Sequence, residues 1–168
     1  YLNGGALVVT NTSVISGNIA YGNSSTSDGG ALYAASGTTI QILGSTIARN
    51  VAHANGGGVY SLGQLTVTNS IISSNTALQN DGGGFNLPAG GSFSMSGSTV
   101  ADNTSSGAGG IQLALTGPIT ISNSTFARND SNAIFGYNTQ LRLIGLEVYS
   151  NTSGVATGRP LTLIGGNY

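Results

Sequence analysis

Cysteine is absent, so neither a disulfide nor a thiolate metal site can form, and the redox compartment is left open. Lysine is absent as well. The cations are Arg49, Arg128, Arg142 and Arg159, set against Asp28, Asp81, Asp102, Asp130 and Glu147, for a net charge of −1. So sparse a positive charge builds no basic patch to hold phosphates, which excludes nucleic acid as a partner. No run of 18 apolar residues crosses a bilayer, so no membrane insertion by this segment is expected, and no signal-peptide pattern opens the chain. The chain opens on Tyr1 rather than Met, which gives the expectation of a mature region or of an excised segment of a longer protein.

What is present is glycine, at 28 residues, with abundant Ser, Thr and Asn. In random order that composition would give disorder. Here 39% of the 168 residues are hydrophobic and recur at short alternating spacing, enough for one domain over 1–168 with a packed β core.

The order is a repeat. "STIARN" at 45–50 returns as "STFARN" at 124–129, and the Asn that closes each such phrase recurs as Asn18, Asn50, Asn75, Asn103, Asn129 and Asn151. The intervals are 32, 25, 28, 26 and 22 residues. Three positions before each Asn stands Ile15, Ile47, Ile72, Val100, Phe126 or Val148; five before stands Ser13, Ser45, Ser70, Ser98 or Ser124, with Leu146 breaking the column. A second phrase, "GGAL" at 4–7 and 29–32 with its variants "GGGV", "GGGF", "AGGI" and "SNAI", sets Leu7, Leu32, Val59, Phe85, Ile111 and Ile134 in one expected buried column. Asn3, Asp28, Asn55, Asp81 and Asp130 precede these turns, with Gly107 the exception, and their side chains are suited to cap turn donors while glycines take φ > 0.

Between the phrases lie strands of period two: Ile40/Ile42, Leu65/Val67, Phe93/Met95, Ile119/Ile121, Leu141/Leu143 and Leu161/Leu163. Each strand resembles its counterpart one unit away more than any strand of its own unit, so pairing between units puts like on like at about 4.8 Å per rung. The expected fold is all-β: a right-handed, three-sided parallel β-helix of about seven rungs, its hand following that of parallel crossovers. In the phrase S-x-[I/V/F]-x-x-N, Ser and the apolar residue are expected to point inward along a strand. The Asn is expected at a turn, bonded to the Asn of the next rung as a structural ladder.

These "GGAL" and [I/V/F]xxN phrases, clear from Gly4 to Asn129, resemble those of the chlamydial polymorphic outer-membrane proteins and related bacterial β-helix surface proteins. The resemblance implies a secreted or surface-exposed passenger, adhesive in character, borne by a transport or anchoring domain.

A β-helix is also a scaffold of polysaccharide lyases and glycoside hydrolases, which need clustered carboxylates with Ca²⁺ and a base, or paired carboxylates across a groove. Asp28 and Asp81 stand two rungs apart in the turn column, about 10 Å by rung spacing; Asp130 is read as another turn residue and Glu147 stands alone. No catalytic residue, metal or cofactor is assigned, and an enzyme is not expected. Asp102 and Arg128 precede ladder Asn residues on adjacent rungs and predict an exposed ion pair, with Arg49 in the same column; His53 is read as a loop residue. Six N-x-[S/T] sequons begin at Asn11, Asn23, Asn103, Asn123, Asn129 and Asn151, of which Asn23 is expected to be accessible. Thr66/Thr68, Ser94/Ser96 and Thr120/Ser122 form a hydroxyl array that resembles in outline the regular faces of ice-binding β-helices. The candidate binding surface is Tyr33 and Tyr60, which follow inward residues and should stack outward, with Phe135 at the equivalent place three rungs on.

Neither end carries an amphipathic helix, a charged edge or a Pro-guarded strand, so further rungs or other copies are expected to cover both, end to end. The expected function is therefore an extracellular or cell-surface structural and adhesive scaffold, meeting a surface glycan or a host protein. A filament subunit stacking end to end and a carbohydrate-active enzyme stand as the alternatives.

Overall fold

The computed structural model describes residues 1–22, 27–137, 139–159 and 161–167, and among these every regular element is a β-strand. The alternating segments stack in parallel, each on the segment one unit away. The first face stacks Gly5–Val9, Thr38–Leu43, Gln64–Thr68, Ser92–Ser96, Pro118–Ser122, Gln140–Tyr149 and Leu161–Asn167. The second stacks Val14–Ser16, Thr46–Ala48, Ile71–Ser73, Thr99–Ala101 and Thr125–Ala127 on the far half of Gln140–Tyr149, a strand that runs through the corner between the two faces, as Leu161–Asn167 does beside it. The third stacks Leu32–Ala34, Val59–Ser61, Phe85–Leu87, Ile111–Leu113, Asn132–Gly136 and Ser153–Thr157. After the ladder Asn the chain stays extended for two residues, adding a short fourth ladder of Ile19–Ala20, Val51–Ala52 and Thr76–Ala77 that the three-strand reading of each unit did not contain. The architecture is a β-solenoid of seven rungs, counted on the first face.

Each face contributes one or two inward rows to a single core. Val9, Ile42, Val67, Met95, Ile121, Leu143 and Leu163 are in register on the first face. Ile15, Ile47, Ile72, Val100, Phe126 and Val148 are in register on the second. On the third, Leu32, Val59, Phe85, Ile111 and Ile134 align and continue into Val155. Phe85, Phe126, Ile47, Ile72, Ile111 and Ile121 are wholly buried, each withdrawing enough apolar surface for about 1.5–3 kcal/mol.

Leu7 does not join the third-face column. It pairs with Ile40 and lies on the first face, while Leu2, bridged to Ala34, holds the first place on the third. The opening "GGAL" is a look-alike: Leu7 precedes its ladder Asn by 11 residues, whereas Leu32, Val59, Phe85, Ile111 and Ile134 precede theirs by 16 to 18. A second correction concerns the phrase serines. Ser45, Ser70, Ser98 and Ser124 are buried, but at the corner before the second face rather than within a strand.

The corners are made by residues in the left-handed region. Between the first and second faces these are Gly44, Asn69, Gly97, Asn123, Gly145 and Gly165, with φ from 48° to 58°. The alternation of Asn and Gly has a steric cause: a Cβ on Gly97 would lie 2.3 Å from Asn69 Oδ1, and one on Gly145 would lie 2.8 Å from Asn123 Oδ1. Each Asn side chain therefore covers the glycine of the next rung. At the following corner Arg49, Ser74, Asp102, Arg128 and Ser150, each just before a ladder Asn, take φ from 53° to 57°.

Candidate functional site

Polar groups cross this solenoid in columns, and the chemistry each column has left over decides what it can do. In the ladder, Asn50 Oδ1 accepts from Asn18 N at 3.0 Å and Asn18 Nδ2 at 2.9 Å; the same pair of bonds links Asn50 to Asn75, Asn75 to Asn103, Asn103 to Asn129 and Asn129 to Asn151. Nδ2 of Asn75, Asn103 and Asn129 also donates to the carbonyls of Ile47, Ile72 and Val100, leaving these side chains saturated. This burial withdraws Asn103 and Asn129 from glycosylation; Asn23 lies outside the described residues. The serine corner is a second ladder: Ser70, Ser98 and Ser124 Oγ accept the N–H of the serine one rung earlier, at 3.1–3.2 Å, and donate to the carbonyl two residues back.

Four of the five acids are engaged in holding turns and rungs. Asp28 Oδ1 accepts from Asn55 N at 2.9 Å and Asn55 Nδ2 at 3.0 Å, and Asn55 Oδ1 accepts from Asp81 N at 3.3 Å. The Asp81 carboxylate packs where a Cβ of Gly107 would be, which is why that column changes to glycine there. Asp130 Oδ1 accepts from Ser131 N and Thr152 Oγ1. Asp102 takes both Nε and Nη2 of Arg128, at 2.7 and 2.8 Å, on the solvent side, and this guanidinium holds its carboxyl below the usual carboxylate range. Glu147 stands outward on the second face. Among the described residues no three His, Cys, Asp or Glu side chains gather closely enough to hold a metal ion. His53 lies in its loop beside Tyr21, ring centroids 5.6 Å apart, with Nε2 3.3 Å from Gln79 Nε2.

The third face carries the aromatic feature. Tyr33 and Tyr60 are paired in register and stack outward, centroids 5.2 Å apart and planes within 11°. Tyr1 extends the stack, 4.8 Å from Tyr33 and within 10°. Beyond Tyr60 the column continues through Asn86 and Gln112, joined Nδ2 to Oε1, before it reaches half-buried Phe135. The structure thus brings Tyr33 and Tyr60 together with Tyr1, and leaves Phe135 three rungs away from them. Burial raises the phenol pKa of both Tyr33 and Tyr60, and the negative charge of nearby Asp28 adds to the effect on each. Tyr1 escaped the sequence reading because its unit was aligned on the wrong "GGAL"; aligning Leu2 with Ala34 puts it beside Tyr33. Outside the first face, Thr66, Ser94 and Thr120 line up, Ser94 Oγ lying 3.4 Å from Thr66 Oγ1.

A cavity of about 520 Å³ opens beside the stack, lined by Tyr1, Tyr33, Asp28, Asn18, Ile19, Ala20 and the Gly29–Ala31 turn. A smaller groove of about 340 Å³ runs along the corner from Gly37 to Ser92.

Comparison with curated proteins and with solved structures finds no match in either. A family model described as a right-handed beta helix region matches residues 4–166, in accord with the stacked parallel faces, and the chain belongs to that right-handed β-helix family.

Proposed function

We propose that this chain is a non-catalytic scaffold of the extracellular space or cell surface, whose third face adheres to a glycan or to a host protein. The observation that carries the reading is the outward stack of Tyr1, Tyr33 and Tyr60. Three parallel rings held by the register of the rungs offer a rigid, largely apolar platform with hydroxyls at its rim, a surface suited to sugar rings and protein partners. Engagement of Asp28, Asp102 and Asp130 in turn and rung contacts supports the non-catalytic part. The "GGAL" and [I/V/F]xxN phrases support a passenger of the polymorphic outer-membrane type. The test is binding of the chain to immobilised glycans and surface proteins alongside assays for new reducing ends or unsaturated products, with and without Ca²⁺. Binding that falls in Tyr33→Ala and Tyr60→Ala supports the reading; product release abolished by Asp81→Asn in a folded protein overturns it.

End-to-end assembly is a second reading, favoured by where apolar surface is exposed. Leu163, in the inward row of the first face, is 48% exposed on the last rung, and the inward Leu7 and Ile15 of the first rung are only partly buried. Such ends are complementary in backbone pairing and almost uncharged, the conditions for head-to-tail contact.

A further inference from the structure

The corner between the third and first faces is uneven. It takes three residues, 35–37, on entry to the second rung of the first face and four, 88–91, on entry to the fourth, but only Leu62 and Gly63 on entry to the third. The short corner leaves a notch between two longer ones, the groove of about 340 Å³, with a further rung on each side of it. Glycine keeps the notch open. Gly63 is its buried floor, where a Cβ would collide with Thr38 Oγ1, and a Cβ on Gly91 would collide with the carbonyl of Gly63. Gly37 and Gly90 form the two rims with φ of 80° and 111°, and a Cβ on either meets nothing within 4 Å. Among the described residues no hydrogen bond is made to the N–H or C=O of Gly37, Gly90 or Gly91. The rims thus offer backbone donors and acceptors side by side. Thr39, Ser92 and Gln64 add hydroxyls and an amide, and half-buried Leu62 adds an apolar contact.

We propose that this groove is a subsite for one uncharged sugar unit, bound by hydrogen bonds and shape alone. The claim adds a second contact to the adhesive reading, on a corner that the tyrosine stack does not line. A sugar hydroxyl both donates and accepts, which is what rims of N–H and C=O groups, hydroxyls and an amide require. The volume stands at the low end of the range of about 300–1,000 Å³ for small-molecule sites. No charged side chain lines the groove. Along the outward rows that run past it the first charge is Arg142, three rungs beyond Gln64, or about 14 Å at the rung spacing. That exceeds the screening length of about 8 Å at physiological salt. A uronate or an ammonium would therefore give up water here with no opposite charge in return.

The test titrates the 168-residue chain with oligosaccharides of equal length: neutral ones of glucose, galactose or mannose, a cationic one of glucosamine and an anionic one of galacturonate. At least one neutral oligomer should bind, and neither charged one through this groove. Ser92→Tyr, at an exposed strand position that accepts an aromatic, sets a ring across the mouth and should abolish binding with the far-ultraviolet spectrum unchanged. Gln64→Ala should weaken binding by roughly two- to tenfold, the worth of one hydrogen bond. Gln64→Arg should let galacturonate bind, and Tyr60→Ala should leave neutral-sugar binding as it was. Neutral-sugar binding that withstands Ser92→Tyr overturns the groove; if it then falls in Tyr60→Ala, the adhesive face stands in its place. Galacturonate or glucosamine binding that Ser92→Tyr abolishes also overturns the proposal. Failure of every neutral sugar overturns the subsite and gives the groove to a protein strand or to water.

Discussion

Asn75 and Asn103, 28 residues apart in sequence, are joined on adjacent rungs by two bonds to one atom: Asn103 Oδ1 accepts Asn75 N at 2.9 Å and Asn75 Nδ2 at 3.0 Å. Asn103 Nδ2 in turn donates to Ile72 O and Asn129 Oδ1, all out of contact with water. Removing that amide strands several buried groups at once, each at a cost of about 1–3 kcal/mol. Asn103→Ala should therefore lower unfolding free energy by about 2–4 kcal/mol in denaturant titration. Asn18→Ala, on the exposed first rung, should cost under about 1 kcal/mol. Equal losses at the two positions would mean that burial does not set the strength of the ladder.

Two glycines with ordinary backbone angles separate close packing from flexibility. A Cβ at Gly83 would lie 2.6 Å from the carbonyls of Gly109 and Thr104, whereas one at Gly117 meets nothing within 4 Å. Gly83→Ala should cost at least about 2–3 kcal/mol, since only backbone movement relieves it. Gly117→Ala should be neutral or stabilise by up to about 1 kcal/mol through the unfolded chain. Thermal melts of the two variants decide the matter.

The repeat and its inward columns were legible because identical surroundings demand identical residues rung after rung. Ile40, Leu65, Phe93, Ile119 and Leu141 each stand ten places before a ladder Asn, and that constant interval locates the first face without coordinates. The same count, applied to Leu7 at 11, would have moved it there too, with one residue to spare for the corner at Asn11 and Thr12. The corner itself was written as Gly44, Asn69, Gly97, Asn123 and Gly145, the two residue types that accept φ > 0. Arg49, Ser74 and Arg128 take the same conformation with no such signature, because their rungs impose it. The candidate site was legible only in half. Tyr33 and Tyr60 follow from the pattern, but Tyr1 joins them through Leu2, bridged to Ala34, a place that no repeated phrase marks.

Tyrosine ionisation should report the stack. Burial, first, and then neighbouring charge raise the folded-state pKa of Tyr33 and Tyr60 above the ordinary value near 10. Raised values mean that the contribution to stability is complete below that pH and is lost as pH climbs through the folded-state values. A spectrophotometric alkaline titration should show these two phenols ionising above the ordinary tyrosine value. Tyr60→Phe should remove one such late step; the absence of any phenol ionising above the ordinary value would contradict the stacked arrangement.

The Asp102–Arg128 pair should matter little. Its side chains are 42% and 54% exposed, so water and salt screen it. Hydrogen bonding from Arg128 lowers the Asp102 pKa, so whatever stability the pair adds is present above the ordinary carboxylate range and disappears as pH falls through the lowered value. Asp102→Asn should leave the melting temperature at neutral pH almost unchanged and abolish any salt dependence particular to this pair. A large loss at high salt would show that the corner backbone, rather than charge, needs the aspartate.

Association should rise with concentration and should depend on the last strand. Leu163, 48% exposed and in register with Leu143, is the substitution site of choice. Leu163→Arg should reduce the apparent mass seen by light scattering at high concentration without changing the far-ultraviolet spectrum. A monomer at every concentration, before and after substitution, would remove the end-to-end reading.

The constant interval of ten has a consequence for descent. A unit that meets only the unit before and the unit after, and shows the same inward row at both of its edges, can be copied within a gene and seated beside its parent with no contact to invent. The copy lengthens the rod by about 4.8 Å and inherits half of its neighbours' ladders at once. Differences in unit length, from 22 to 32 residues between ladder asparagines, collect outside the interval of ten, where an added loop leaves the stacked rows in place. Such a molecule can grow or shorten by whole rungs over generations while its outer loops and its tyrosine face change independently of the frame.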